Sequence, residues 1–248
     1  MKPDKRPDIE RLVSAPPPDM RLFPFYGADE GGARAAASKL AGNVADEGSE
    51  GGKLHLSPSR LKEDPSILAD EAAAISMFGG RKVLWVEPVA GAAANSVIPA
   101  CEALLEAGEA GNPAVLIAGD LKATHALVKL AGGSGQAAAL RFYMPDARQA
   151  GAIVRELCAA AGLEPTPSAA ARLTETALAS RAVAEREIEK YALFLGAEPD
   201  APQPLDDDTL DKLGAAFAEA TFQQLVDAVL GGKPAASARE QKRLSAEG

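Results

Sequence analysis

Between residues 22 and 143 short, mainly apolar runs alternate with stretches whose apolar positions recur every three or four residues. The mainly apolar runs fall at 22–26, 82–87, 114–118 and 138–143, with a weaker one at 51–56 between glycines and Ser57-Pro58. Runs of this length are what strands buried on both faces look like, because neither face has to meet water. The periodic stretches predict helices over 30–40, 65–78, 96–107 and 123–131, the second opened by Pro65, whose missing N–H costs little in a first turn. Strands separated by helices need crossovers, so the pattern predicts an α/β fold with a mostly parallel sheet covered on both faces.

After Met144-Pro145-Asp146 the strand signal stops. Helices are expected over 147–161, 168–178 and 182–195, with Gly162 ending the first and Ser168 suited to cap the second. The Pro-rich stretch 196–204 reads as a linker. Asp206-Asp207-Asp208 begins a further helical segment, followed by a helix over 222–230, Gly231-Gly232 and a basic helix after Pro234. The expected division is a lead-in over 1–20, an α/β domain over 21–143, a three-helix domain over 144–203 and a last helical unit over 204–248. That unit is too short to bury a core alone, and reads as truncated or dependent on a partner.

Composition narrows the classes. The 248 residues are 47% hydrophobic, 25% charged and only 4% aromatic, the balance of an ordinary soluble protein. A formal net charge of −9 argues against blanket electrostatic binding of nucleic acid. Cys101 and Cys158 sit in apolar helical patterns and read as buried thiols, while His55 and His125 stand alone in sequence. No apolar run approaches the roughly 18 residues of a membrane helix, and no apolar signal core follows the N-terminal charges. The expected location is cytoplasmic, without a membrane partner.

The segment Phe25-Tyr26-Gly27-Ala28-Asp29-Glu30-Gly31-Gly32-Ala33-Arg34 lies where a nucleotide-binding α/β domain places its phosphate loop, between first strand and first helix. Such a loop needs a lysine for the terminal phosphates and a Ser or Thr for magnesium directly after its glycines. Neither follows Gly31-Gly32, and Asp29 and Glu30 put negative charge where phosphate would sit. The two acids are adjacent, diverge in direction and suit a helix start better than an acid/base couple. Gly119-Asp120 ends a buried run where a magnesium-binding acid often lies, but with no phosphate loop to serve it reads as a cap or loop residue. No nucleophile elbow, zinc spacing or redox motif is present, so no catalytic residue, cofactor or metal is assigned.

Ile75-Ser76-Met77-Phe78-Gly79-Gly80-Arg81-Lys82 admits two readings. The stripe Ile67, Leu68, Ala74, Ile75, Phe78 makes Phe78 part of a buried helix face and leaves Met77 incidental. Alternatively the two form an apolar wedge at a helix end, set off by the glycine pair. The segment from Arg181 to Lys190 places Glu185 one turn from Glu189 and Glu187 one turn from Tyr191, the pattern of a solvated, ion-paired face. Lys233, Arg239, Lys242 and Arg243 suit either DNA phosphates or a solvated end.

Taken in order, the segments at 25–31, 64–65, 76–87, 118–121, 143–146, 187–191 and 244–248 resemble the delta subunit family of bacterial DNA polymerase III, the clamp-opening members of clamp loaders. The resemblance implies an AAA+-like parallel-sheet domain without a functional phosphate loop, a three-helix lid domain and a collar domain, here partial. It implies that Met77 and Phe78 enter an apolar pocket of the sliding clamp, with methionine where leucine is usual, a swap of similar size. Gly27, Asp29, Glu30, Gly31 and Gly32 would then be a degenerate phosphate loop that holds no nucleotide. The implied partners are the sliding clamp (beta), the tau/gamma and delta prime subunits, and primed DNA through the assembled complex. The subunit itself would have no intrinsic activity within the polymerase holoenzyme, a nucleotidyltransferase. Two other readings stay open: a bracing loader subunit that does not open the clamp, and a diverged phosphate-loop NTPase.

Overall fold

The computed structural model describes residues 3, 5–45, 52–74, 80–107 and 111–213. They belong to two compact units, Met1–Pro145 and Asp146–Gly248. In the first unit β1 (Leu22–Gly27), β2 (Lys53–Leu56), β3 (Val83–Val89), β4 (Ala114–Ala118) and β5 (Leu140–Phe142) form one parallel sheet in the order β2-β3-β4-β1-β5. Every residue of β1 and β4 is buried, which is why their sequences run apolar without alternation.

The period-two alternation sorts side chains to two faces. Leu22, Tyr26, Leu84, Leu116 and Ala118 face a layer that includes α4 (Ile67–Ala73), α6 (Ile98–Glu106) and α7 (Ala126–Gly133). Phe23, Phe25, Trp85, Val115 and Ile117 face α1 (Arg6–Ser14) and α2 (Glu30–Val44). The lead-in therefore contains a helix that adds Ile9, Leu12 and Val13 to the core. Three apolar positions among many charges gave too weak a period to announce it.

Two expected helices have shorter bounds than predicted, and each is preceded by a separate short helix. The helix expected over 65–78 starts at Ile67 as α4 and ends at Ala73, residues 75–78 lying outside the described ones; ahead of it α3 (Pro58–Glu63) is capped by Ser57 and ends before Asp64, whose Oδ1 accepts from the Ser66 N–H at 3.0 Å. That side-chain turn separates α3 from α4. The helix expected over 96–107 is α6, with Pro99 in its first turn, and a separate short helix, α5 (Ala92–Ser96), precedes it. His125 caps α7, its Nδ1 accepting from Leu127 N–H at 3.2 Å.

In the second unit α8 (Ala147–Ala160), α9 (Pro167–Ala179), α10 (Arg181–Leu195) and α11 (Asp207–Leu213) enclose Val154, Cys158, Leu173, Ile188, Tyr191 and Leu210. Asp146 and Gln149 form a reciprocal capping box on α8, and Thr166, not Ser168, caps α9 ahead of Pro167. The stretch expected as a linker returns as β7 (Gln203–Leu205), which pairs in parallel with β6 (Leu163–Pro165) and buries Leu205. This crossing passes so close to Gly162 (φ +70°) that a Cβ there would lie 2.1 Å from the Glu198 carbonyl oxygen. Residue 204, where the last unit was expected to start, lies inside β7, and Arg172 ties α9 to α11 through Asp207 (3.1 Å) and Asp211 (2.6 Å). The helices expected over 222–230 and after Pro234 lie outside the described residues.

Burial pushes the Cys101 thiol up to about 12 and the Cys158 thiol up to about 11. Both stay protonated at neutral pH and act as packing groups.

Candidate functional site

The carboxyl ends of β1, β4 and β5 meet at the turn after β1. Gly27 N–H donates to Gly119 O at 3.2 Å, and Asp29 N–H reaches Phe142 O at 3.5 Å. Gly27 has φ +130°, and a Cβ on it would stand 2.0 Å from Phe142 O. This position therefore requires glycine for both conformation and space.

Asp29 is the N-cap of α2. Its buried carboxylate accepts the Gly32 N–H at 2.8 Å through Oδ1, while Oδ2 lies 2.1 Å from where a Gly32 Cβ would be. The carboxylate thus lies across the first turn of the helix, serving an orphan N–H and meeting the positive end of the helix dipole. Glu30 opens the helix, and its Oε1 lies 3.0 Å from a hypothetical Cβ on Gly119. One turn on, Arg34 pairs with Glu87 of β3 at 3.4 Å. Asp120 is exposed in the bend after β4, with Leu121 N–H donating to Gly119 O at 2.7 Å. The turn is a helix N-terminus whose Gly32 N–H is taken by an acid of the chain itself.

Asp29→Ala removes this cap. It is expected to lower stability by about 1 kcal/mol, while Asp29→Asn, which still offers an acceptor, loses only part of that. Chemical denaturation followed by circular dichroism measures both, and equal losses would mean the carboxamide cannot take over the cap.

Met77 and Phe78 lie outside the described residues, which end at Ala74 and resume at Gly80. The chain leaves α4 at Ala74 and returns at Gly80 (φ +86°), Arg81 and Lys82 to enter β3. Glu71 of α4 pairs with Lys82 at 2.8 Å. Asn112, which sequence reasoning passed over, lies between the two ends, 4% exposed, with its carboxamide bonded to both.

On α10 the expected ion-paired face contains Arg181–Glu185 (2.8 Å) and Lys190–Glu187 (2.5 Å), and Tyr191 Oη donates to Glu187 at 3.0 Å. Burial and the neighbouring Glu187 carboxylate raise the Tyr191 phenol well above its ordinary range. Lys233, Arg239, Lys242 and Arg243 lie outside the described residues. Among the described residues no group of three or more His, Cys, Asp or Glu could hold a metal ion, and no helix is long and apolar enough to cross a membrane.

No protein-family model matches this sequence, and no curated protein matches it either. Solved structures do. The Bacillus subtilis DNA clamp loader delta protein superposes with a TM-score of 0.59 at 18% identity, covering 97% of this chain and 71% of that one. The Thermotoga maritima RuvB Holliday junction branch migration motor superposes with a TM-score of 0.50 at 11% identity, covering 91% and 76%. At these identities the likeness is one of fold: the five-stranded parallel sheet with its helices resembles the AAA+-like folds of clamp-loader and RuvB proteins.

Proposed function

We propose that this chain is a clamp-loader subunit of the delta kind, which binds and opens the DNA sliding clamp and has no nucleotide chemistry of its own. The observation that carries the reading is Asp29 lying across the first turn of α2, where a nucleotide-using relative of this fold would hold phosphate. Together with the missing lysine and hydroxyl, it leaves Gly27, Glu30, Gly31 and Gly32 as a shaped but chemically inert turn. The fold shared with a clamp loader delta protein over nearly the whole chain supports the assignment.

The work is done by binding. Met77 and Phe78 fill an apolar pocket on the clamp, and the ring is opened to the extent that the open or distorted form binds this surface better than the closed one. ATP held by neighbouring motor subunits of the tau/gamma kind, with delta prime, governs when the surface is presented, and primed DNA is met only by the assembled complex. The site of action is the cytoplasm.

Two measurements on the purified chain test this. Surface plasmon resonance against an immobilised bacterial sliding clamp is expected to show saturable binding, and isothermal titration with Mg-ATP is expected to show none. Saturable ATP binding that is lost on mutation of the 27–32 turn would overturn the reading in favour of a diverged NTPase. Absence of clamp binding would leave a bracing loader subunit.

A further inference from the structure

The sheet of the first unit has two edges, and the chain treats them differently. At β5 the Arg141 N–H donates to the Pro3 carbonyl at 3.2 Å, so a residue of the lead-in meets that edge. β2 stands at the other edge, paired with β3 alone. Its register puts Lys53 opposite Val83 and His55 opposite Trp85, and Gly52 O accepts the Val83 N–H at 2.8 Å. Along a strand the main-chain groups point to alternate sides, so those of Gly52, Leu54 and Leu56 are spent on β3. The N–H and C=O groups of Lys53 and His55 point away from the sheet, and no described residue bonds to them.

Exposed edges are ordinarily blunted by a proline, a bulge or a lysine standing in solvent. β2 has no proline, and its register with β3 runs without a break, whereas that of β3 with β4 shifts between Val86 and Val89. Its lysine is turned inward. Lys53 Nζ lies 4.2 Å from the centre of the Trp85 ring and donates to Ser38 Oγ of α2 at 3.1 Å, so it does not shield the main-chain edge. The local charge is also of one sign. Lys53, His55, Arg60 and Lys62 fall between Gly52 and Lys62 with no acid among them, in a chain whose net charge is −9. Arg60 and Lys62 are exposed on α3, which follows directly on β2 and is anchored by the buried Pro58 and Leu61.

We infer that the free edge of β2 is an interaction surface for a partner protein, taking an extended acidic segment of that partner as a further strand. Main-chain bonds to Lys53 and His55 supply the attachment, and the basic side chains around them select for carboxylates. A second copy of this chain is the poorer occupant, because joining two β2 edges sets basic side chains beside basic ones. Occupancy of this edge does not depend on the clamp-binding reading of Met77 and Phe78.

The test uses the full chain and two short synthetic peptides, one alternating glutamate with valine and one alternating lysine with valine, read by amide hydrogen exchange. In the free protein the Lys53 and His55 amides are expected to exchange fast, and those of Leu54 and Leu56 slowly. The acidic peptide is expected to bind saturably and to slow the Lys53 and His55 amides about tenfold, and the lysine peptide to do neither. His55→Pro removes an outward N–H that no ladder bond uses, so β2 should keep its place while binding is lost. In case that variant folds poorly, the acidic peptide with its backbone amides N-methylated is run against the wild-type protein, where it should also fail. Arg60→Glu with Lys62→Glu is expected to weaken binding of the acidic peptide about tenfold. No protection by the acidic peptide, equal binding of the lysine peptide, full binding by the N-methylated form or by folded His55→Pro, or undiminished binding after the charge reversals would each overturn the inference. So would protection of these amides that rises with protein concentration alone, which would give the edge to a second copy.

Discussion

Gly27→Ala is expected to lower the melting temperature of the first unit by roughly 10 °C. Two costs combine. The residue has φ +130°, a backbone state that costs an L side chain about 1–3 kcal/mol. The added Cβ would also stand 2.0 Å from the Phe142 carbonyl oxygen, so β1 and β5 must part where Phe25 packs on Phe142 with ring centroids 5.9 Å apart. Forcing a packed core apart adds about 1–3 kcal/mol, and a unit of this size loses about 2–4 °C per kcal/mol. Gly133→Ala is the control, because nothing lies within 4 Å of its Cβ position at the end of α7. Thermal melts by circular dichroism should separate the two variants clearly. A Gly27→Ala protein that melts with the wild type would mean the turn has another low-energy form.

Met77→Ala with Phe78→Ala is expected to weaken clamp binding by about 30- to 1,000-fold, the range of a two-residue hot spot losing about 2–4 kcal/mol. Melting should change little, because on this reading the pair serves an interface and not the core. The competing reading, with Phe78 on the buried stripe of a helix running to residue 78, predicts the reverse. Truncating a core phenylalanine costs about 3–5 kcal/mol of stability, with clamp affinity kept in whatever fraction stays folded. The end of α4 at Ala73 weakens the periodic argument for burial, since the helix that would have carried Phe78 onto the stripe stops five residues earlier. Affinity and melting measured on the same preparation decide between them.

The parallel sheet was legible because burial on both faces leaves mainly apolar runs at β1, β3 and β4, a signal local enough to see in one sequence. Asp29 was legible as an acid at a helix start. Its path across Gly32 was not, because that depends on the backbone leaving β1 under Phe142 and Gly119. The helix expected to open at Pro65 opens instead at Ile67, because the Asp64 side chain takes the Ser66 N–H in an Asx turn. The strands β6 and β7 are three residues each, too short for any period to register, and their pairing needs a glycine at 162 whose reason lies 36 residues away at Glu198.

By itself the sequence determined the layering of the first unit, the run of helices in the second, and the absence from the turn after β1 of the lysine and hydroxyl that nucleotide chemistry needs. These follow from hydrophobic periodicity and from residue identity, both of which are read without knowing what lies nearby. Only the tertiary structure decided that Asp29 fills the first turn of α2, that the supposed linker at 196–204 ends in the strand β7, and that Asn112 bonds to the chain at both Ala74 and Lys82. Each of these depends on a polar group finding its partner across the fold, and hydrogen bonds, short and directional, leave no period in the chain that makes them.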